Sequence, residues 1–97
     1  MRIIIIGFGS IGQRHYKNLT QLGYEDVSIY DVDENKIKNH PGPRLTQVKS
    51  LSPSSLASFE VALICNPNHK HLEVATRCVE AGLHVFIEKP LSHNLKG

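Results

Sequence analysis

Four isoleucines, Ile3 to Ile6, run without a polar break into Gly7, Gly9 and Gly12. A run with no alternation of apolar and polar residues fits a parallel strand covered on both faces, not a strand with one wet side. Beyond the glycines the period changes. Ile11, His15, Leu19 and Leu22 recur on one helical face, and Gly23 stops the helix. Strand, glycine-rich turn and helix in that order confine the chain to an α/β architecture with a crossover to a parallel neighbour.

The same reading predicts a second strand at Val27–Tyr30 that ends at Asp31, with Asp33 capping a short helix through about Asn39. His40-Pro41-Gly42-Pro43 is a loop, because two prolines around a glycine permit neither helix nor ladder. Leu45 to Val48 is a candidate short third strand, and Ser50 to Phe59 is a loop with at most one helical turn. Glu60 to Cys65 is a buried strand ending at Asn66-Pro67-Asn68. His71 to Ala81 is predicted to be the best helix, with Leu72, Ala75, Cys78 and Val79 at helical spacing and Gly82 as its stop. His84–Ile87 makes a fifth strand that runs out at Glu88-Lys89-Pro90. Five strands in the order 3-2-1-4-5 give a Rossmann-type, doubly wound parallel sheet in a three-layer α/β/α arrangement.

Composition narrows the partners. The 97 residues suffice for one domain, and a net charge of +2 with few, scattered aromatics argues against nucleic acid. The longest aliphatic run is four residues, which excludes a transmembrane helix, so the chain is expected to be cytoplasmic. Cys65 and Cys78 lie 13 residues apart in apolar company; reduced, buried thiols are expected, with a disulfide between them as the other reading. No two of the six histidines have the i, i+4 spacing of a helical zinc site, so no metal is expected. His15 is expected to pack along the first helix, and His40, His69, His84 and His93 to be surface or packing residues.

The unusual residues all fall at the carboxyl ends of the predicted strands, where ligands sit on such sheets. Gly7-x-Gly9-x-x-Gly12 follows a strand and opens a helix, the context a dinucleotide-binding turn requires. Gly7 supplies the tight turn, Gly9 lets the backbone approach a pyrophosphate, and Gly12 lets helix and strand pack closely. Free N–H groups and the positive end of the helix dipole face the phosphates, so Gly7, Phe8, Gly9, Ser10, Ile11 and Gly12 form the expected cofactor-binding segment. Asp31 stands 19 residues beyond Gly12, where a carboxylate accepts hydrogen bonds from the adenosine ribose and repels a 2′-phosphate. Val32 follows instead of a cation, which favours NAD over NADP. Turn or helix-cap duty is the competing role for Asp31, and Asp33 makes that duty redundant.

The stretch "CNPNHKHLEVATRCVEAGLHVFIEKPL", Cys65 to Leu91, resembles the glucose–fructose oxidoreductase, inositol dehydrogenase and rhizopine-catabolism (Gfo/Idh/MocA) family. The likeness lies in Asn66-Pro67-Asn68 with His71 three residues on, in Ala81-Gly82-Leu83-His84-Val85, in Glu88-Lys89-Pro90, and in "GFGSIGQRH" at the first turn. Asn66 stands where that family usually has Thr or Ser, and Leu83 where Lys is common. The resemblance implies that Lys89 sits beside the nicotinamide and the reacting substrate oxygen as the catalytic residue. An ammonium there would stabilise alkoxide charge and relay a proton. It further implies that Glu88 meets the nicotinamide end and orients Lys89, that Pro90 fixes the turn, and that Asn66 and Asn68 contact the cofactor. For His71 the two readings are a cofactor contact and a place in the first turn of a helix.

In the resembled family a further α/β domain follows, with a catalytic histidine, most substrate contacts and the surfaces of homo-oligomer assembly. Residues 1–97 are therefore expected to be a dinucleotide-binding domain without its substrate domain, binding NAD and catalysing nothing alone. The function expected of the whole is hydride transfer between a nicotinamide cofactor and a small-molecule sugar, cyclitol or similar hydroxyl or carbonyl substrate. The alternative is a non-catalytic NAD-binding sensor or scaffold, which has no chemical reason to keep Lys89. A methyltransferase-type glycine turn is disfavoured by Glu88-Lys89-Pro90.

Overall fold

A computed structural model describes residues 1–38, 45–65 and 68–88, with backbone alone for residues 68–71. In chain order the elements are β1 (Ile3–Ile6), α1 (Ser10–Gln21), β2 (Val27–Tyr30), α2 (Glu34–Lys38), β3 (Thr46–Gln47), α3 (Pro53–Leu56), β4 (Val61–Ile64), α4 (Asn68–Glu80) and β5 (His84–Ile87). The strands form one parallel sheet in the order β3-β2-β1-β4-β5.

β1 is the centre of that sheet. Ile3 to Ile6 pair with Val27 to Tyr30 on one side and with Val61 to Ile64 on the other. Side chains alternate across a strand, so the isoleucine run serves both faces in turn. Ile4 and Ile6 pack with Leu56, Ala62, Ile64, Val74, Ala75 and Cys78. Ile3 and Ile5 pack with Phe8, Val27, Ile29, Ile37 and Leu63 on the opposite face, where Tyr16 and Leu19 of α1 close the layer. The unbroken apolar run is thus the signature of two cores sharing one strand. Right-handed crossovers running outward from β1 in opposite directions place α1 and α2 on one face and α3 and α4 on the other.

Most predicted elements stand. Asp33 caps α2 by accepting from the Asn35 N–H at 3.0 Å, and Ser52 caps the single turn of α3. α1 and α4 end at Gly23 and Gly82 with bonds from Tyr24 N–H to the Leu19 carbonyl and from Leu83 N–H to the Cys78 carbonyl. Both cysteines are free thiols, Cys78 buried and Cys65 half-buried.

Three details differ. α4 begins at Asn68, three residues before the predicted start, because its first turn holds polar residues that carry no apolar period. Its buried face is Val74, Ala75 and Cys78, whereas Leu72 and Val79 are exposed. Val79 lies one residue, about 100°, round the helix from Cys78, which takes it off the stripe facing the sheet. Leu22 is likewise exposed, since it is the C-cap of α1 and not part of its packed face. None of the described helices is long and apolar enough to cross a membrane.

Ile5 is wholly buried between β2 and β4. Ile5→Ala should cost about 2–5 kcal/mol, a large share of a small domain's stability, read as a fall in the urea midpoint at unchanged slope.

Candidate coenzyme-binding site

β1, β2, β4 and β5 all end on the same edge of the sheet, and the glycine turn, Asp31 and Glu88 lie along it. Past Ile6 the backbone turns sharply: Gly7 has φ +99° and donates its N–H to the Tyr30 carbonyl at 2.8 Å, one last rung between β1 and β2. A residue with a Cβ is strained at that φ. Phe8 is fully buried, edge-to-face with Tyr16 at 6.1 Å between ring centroids. Gly9 is the N-cap of α1, in ordinary extended backbone, so its lack of a side chain has another cause. A Cβ on Gly9 would meet nothing within 4 Å, which leaves a bare, open approach to the start of the helix. Among the described residues no side chain caps that helix end, and no acid occupies its first turn. The first amides of α1 therefore keep their donors for a ligand, with the positive end of the helix dipole behind them.

Gly12 answers to a tighter constraint. A Cβ there would stand 2.0 Å from the Gly7 carbonyl oxygen and 3.5 Å from a methyl of Ile5. The close packing expected of Gly12 is thus mainly a contact of helix against turn, with the strand below it second.

Asp31 sits at the tip of β2, buried to 8% exposure. One carboxylate oxygen accepts from the Phe8 N–H at 2.6 Å, the other from the Asp33 N–H at 2.7 Å. The turn role that sequence reasoning gave to Asp33 alone is shared: Asp33 caps α2, while Asp31 ties the glycine turn to β2. Each Asp31 oxygen retains a second acceptor position. Val32 beside it is 86% exposed, and no cation stands at that position.

At the far side of the edge, the Glu88 N–H bonds the Ile64 carbonyl at 3.0 Å, extending the β4–β5 ladder by one residue. Its carboxylate meets His15 of α1, Nε2 to Oε2 at 2.6 Å. Packing along α1 was the expectation for His15, and the contact across the sheet edge was missed. Its signal was spacing: His15 follows the buried Gly12 by three residues and so shares its face. Cys65 lies between these groups at the end of β4, its N–H bonded to the Ile6 carbonyl at 2.7 Å. Burial, and secondarily the Glu88 charge, push its thiol up to about 11.

Asn66, Lys89 and Pro90 lie outside the described residues, and Asn68 and His71 stand in the first turn of α4 with only their backbone described. The described residues contain no group of three or more His, Cys, Asp or Glu side chains that could hold a metal ion. A cavity of about 620 Å³ opens elsewhere, between the β3–α3 connection and the end of α4, and shares only Tyr30 with this edge. The glycine turn is an open shelf, suited to an extended ligand lying across strand ends.

Sheet order and turn define a Rossmann-type dinucleotide-binding domain. The chain matches the Gfo/Idh/MocA model, an oxidoreductase family with an NAD-binding Rossmann fold, over residues 1–97, and it belongs to that family. It is 34% identical to a myo-inositol 2-dehydrogenase of Thermotoga maritima across 98% of this chain and 30% of that protein. A 4-carboxy-2-hydroxymuconate-6-semialdehyde dehydrogenase of a Sphingobium species is 30% identical across 95% of this chain and 30% of its own length. Among solved structures, a probable dehydrogenase from Thermotoga maritima superposes with a TM-score of 0.72 at 31% identity, covering 99% of this chain and 30% of that one. The chain thus spans under a third of the length of these proteins.

The raised Cys65 thiol gives a direct check on the geometry. At pH 8 its alkylation by iodoacetamide should run about a hundredfold slower than that of an unperturbed thiol, and Glu88→Gln should speed it. Between about pH 9 and 11 the unfolded chain binds fewer protons here than the folded one, so this group makes stability fall as pH rises through that window. Peptide mapping that shows Cys65 reacting at the rate of free cysteine would contradict the burial.

Proposed function

We propose that this chain is the coenzyme-binding part of an NAD-dependent oxidoreductase acting on a hydroxyl or carbonyl carbon of a small sugar, cyclitol or similar molecule. The observation that carries the reading is the shelf itself: an uncapped helix start, a bare Gly9, and a buried Asp31 next to both. These features fit the two ends of an adenosine diphosphate. The α1 amides receive the diphosphate oxygens, and the spare acceptor positions of Asp31 receive the ribose hydroxyls. A 2′-phosphate would meet the Asp31 charge with no cation at Val32 to offset it, which favours NAD over NADP.

Bound NAD supplies a nicotinamide ring that takes or returns hydride. The chain's own residues hold and tune the reacting end. Glu88 offers a carboxylate at the nicotinamide side of the edge. By its place in the family motif, Lys89 stabilises charge on the substrate oxygen and relays its proton. By their place in the family motif, Asn66, Asn68 and His71 supply further cofactor contacts. Substrate choice and assembly into homo-oligomers belong to residues beyond this domain. The names of the relatives, one an inositol dehydrogenase and one a semialdehyde dehydrogenase, support the hydroxyl-or-carbonyl class.

Calorimetric titration tests the reading on this chain. NAD should bind with saturation and NADP at least about tenfold more weakly; absence of NAD binding by the folded chain overturns the proposal. Asp31→Asn removes the charge and should weaken NAD about tenfold while bringing the two coenzymes closer together. Lys89→Ala, in the oxidoreductase this domain serves, should cut turnover by about 10²–10⁴ and leave NAD affinity within a few fold. Unchanged turnover would favour a sensor or scaffold role.

A further inference from the structure

His15 and Glu88 are 73 residues apart in sequence, on elements that belong to opposite halves of the sheet. α1 packs on β1 and leads to β2, whereas Glu88 ends β5, beyond β4. For the two to meet at 2.6 Å, the imidazole must reach across the end of β4, where Cys65 already feels the Glu88 charge. A carboxylate only accepts, so the proton of this bond belongs to His15 Nε2. The bond uses Oε2 of Glu88 and leaves Oε1 to another donor. The side chains are 25% and 33% exposed, so the pair lies partly shielded at the edge instead of out on the surface. An exposed pair would be worth little.

We infer that His15 is a positioning residue: by holding Oε2 of Glu88 it fixes that carboxylate at the nicotinamide end of the coenzyme site. The inference rests on the coenzyme reading above and adds to it a residue that touches no coenzyme atom. The glycine contact contributes, because the absence of a Gly12 side chain seats α1 low enough on the strand ends for the imidazole to reach β5. The expected effect is confined to one end of the ligand. The diphosphate shelf and Asp31 lie at the other, and neither is bonded to His15.

ADP-ribose shares the adenosine and diphosphate of NAD and lacks the nicotinamide, so the pair of ligands separates the two ends. The unaltered chain should bind NAD more tightly than ADP-ribose. His15→Ala should weaken NAD about tenfold and ADP-ribose less than about twofold. His15→Gln, whose amide nitrogen reaches the position of Nε2, should restore most of the NAD affinity. Glu88→Gln should show the same selective loss as His15→Ala, and a thermal melt of each variant accompanies the titrations. Equal losses for both ligands would make the pair a scaffold contact and overturn the inference, as would NAD affinity unchanged in His15→Ala. If His15→Ala fails to fold, His15→Gln and Glu88→Gln decide by the same comparison. NAD bound no better than ADP-ribose by the unaltered chain defeats this inference alone, whereas binding of neither defeats the coenzyme reading along with it.

Discussion

Gly12 lies so close to the Gly7 carbonyl that a single methyl group would not fit between them. This contact sets the height of α1 above the strand ends, and much of the site follows from it. A helix seated there directs its unpaired amides along the edge of the sheet and leaves Gly9 facing open space. It also packs the partly buried Tyr16 edge-on against the buried Phe8 and brings the Phe8 N–H onto Asp31. A larger residue at Gly12 would lift the helix and loosen every one of these relations together.

The two ends of the sheet are built to opposite purposes. At the amino end, Arg2 ties several segments together: its backbone N–H bonds Glu60, its guanidinium bonds Asp26 and the Ser58 carbonyl, and it stacks over Phe59 at 4.6 Å. At the carboxyl end the chain places glycines, and no described side chain caps the start of α1. The polar side chains there act in pairs across strands, Asp31 onto the β1 turn and Glu88 onto α1. Among the described residues, one end is closed by side chains and the other presents a glycine turn and the start of a helix. The topological switch between β1 and β4 falls at that open end, since crossovers leave in opposite directions on either side of it.

Much of this was legible in the sequence, for a physical reason that differs from one element to the next. The isoleucine run announced a strand buried on both faces because only a central parallel strand can shelter four such residues in succession. The glycine spacing announced the turn because Gly7 takes a positive φ and Gly12 has no room for a Cβ. The start of α4 was hidden, since its polar first turn has no apolar period, and Val79 looked packed because spacing alone cannot show where the sheet lies beneath a helix. Asp31 was read as a ligand group with its turn duty passed to Asp33; the fold gives Asp31 a turn duty of its own, which no local spacing announced.

The order of amino acids by itself determined where most strands and helices run, where they stop, and which turn the glycines shape. Those outcomes depend on neighbours within a few residues, which periodicity and glycine placement record directly. Only the folded molecule decided that His15 would meet Glu88 and that Asp31 would hold the Phe8 amide, across 73 and 23 residues of chain. Partners so distant are chosen by the sheet order and the seating of α1, and no local pattern encodes which strand ends will lie side by side.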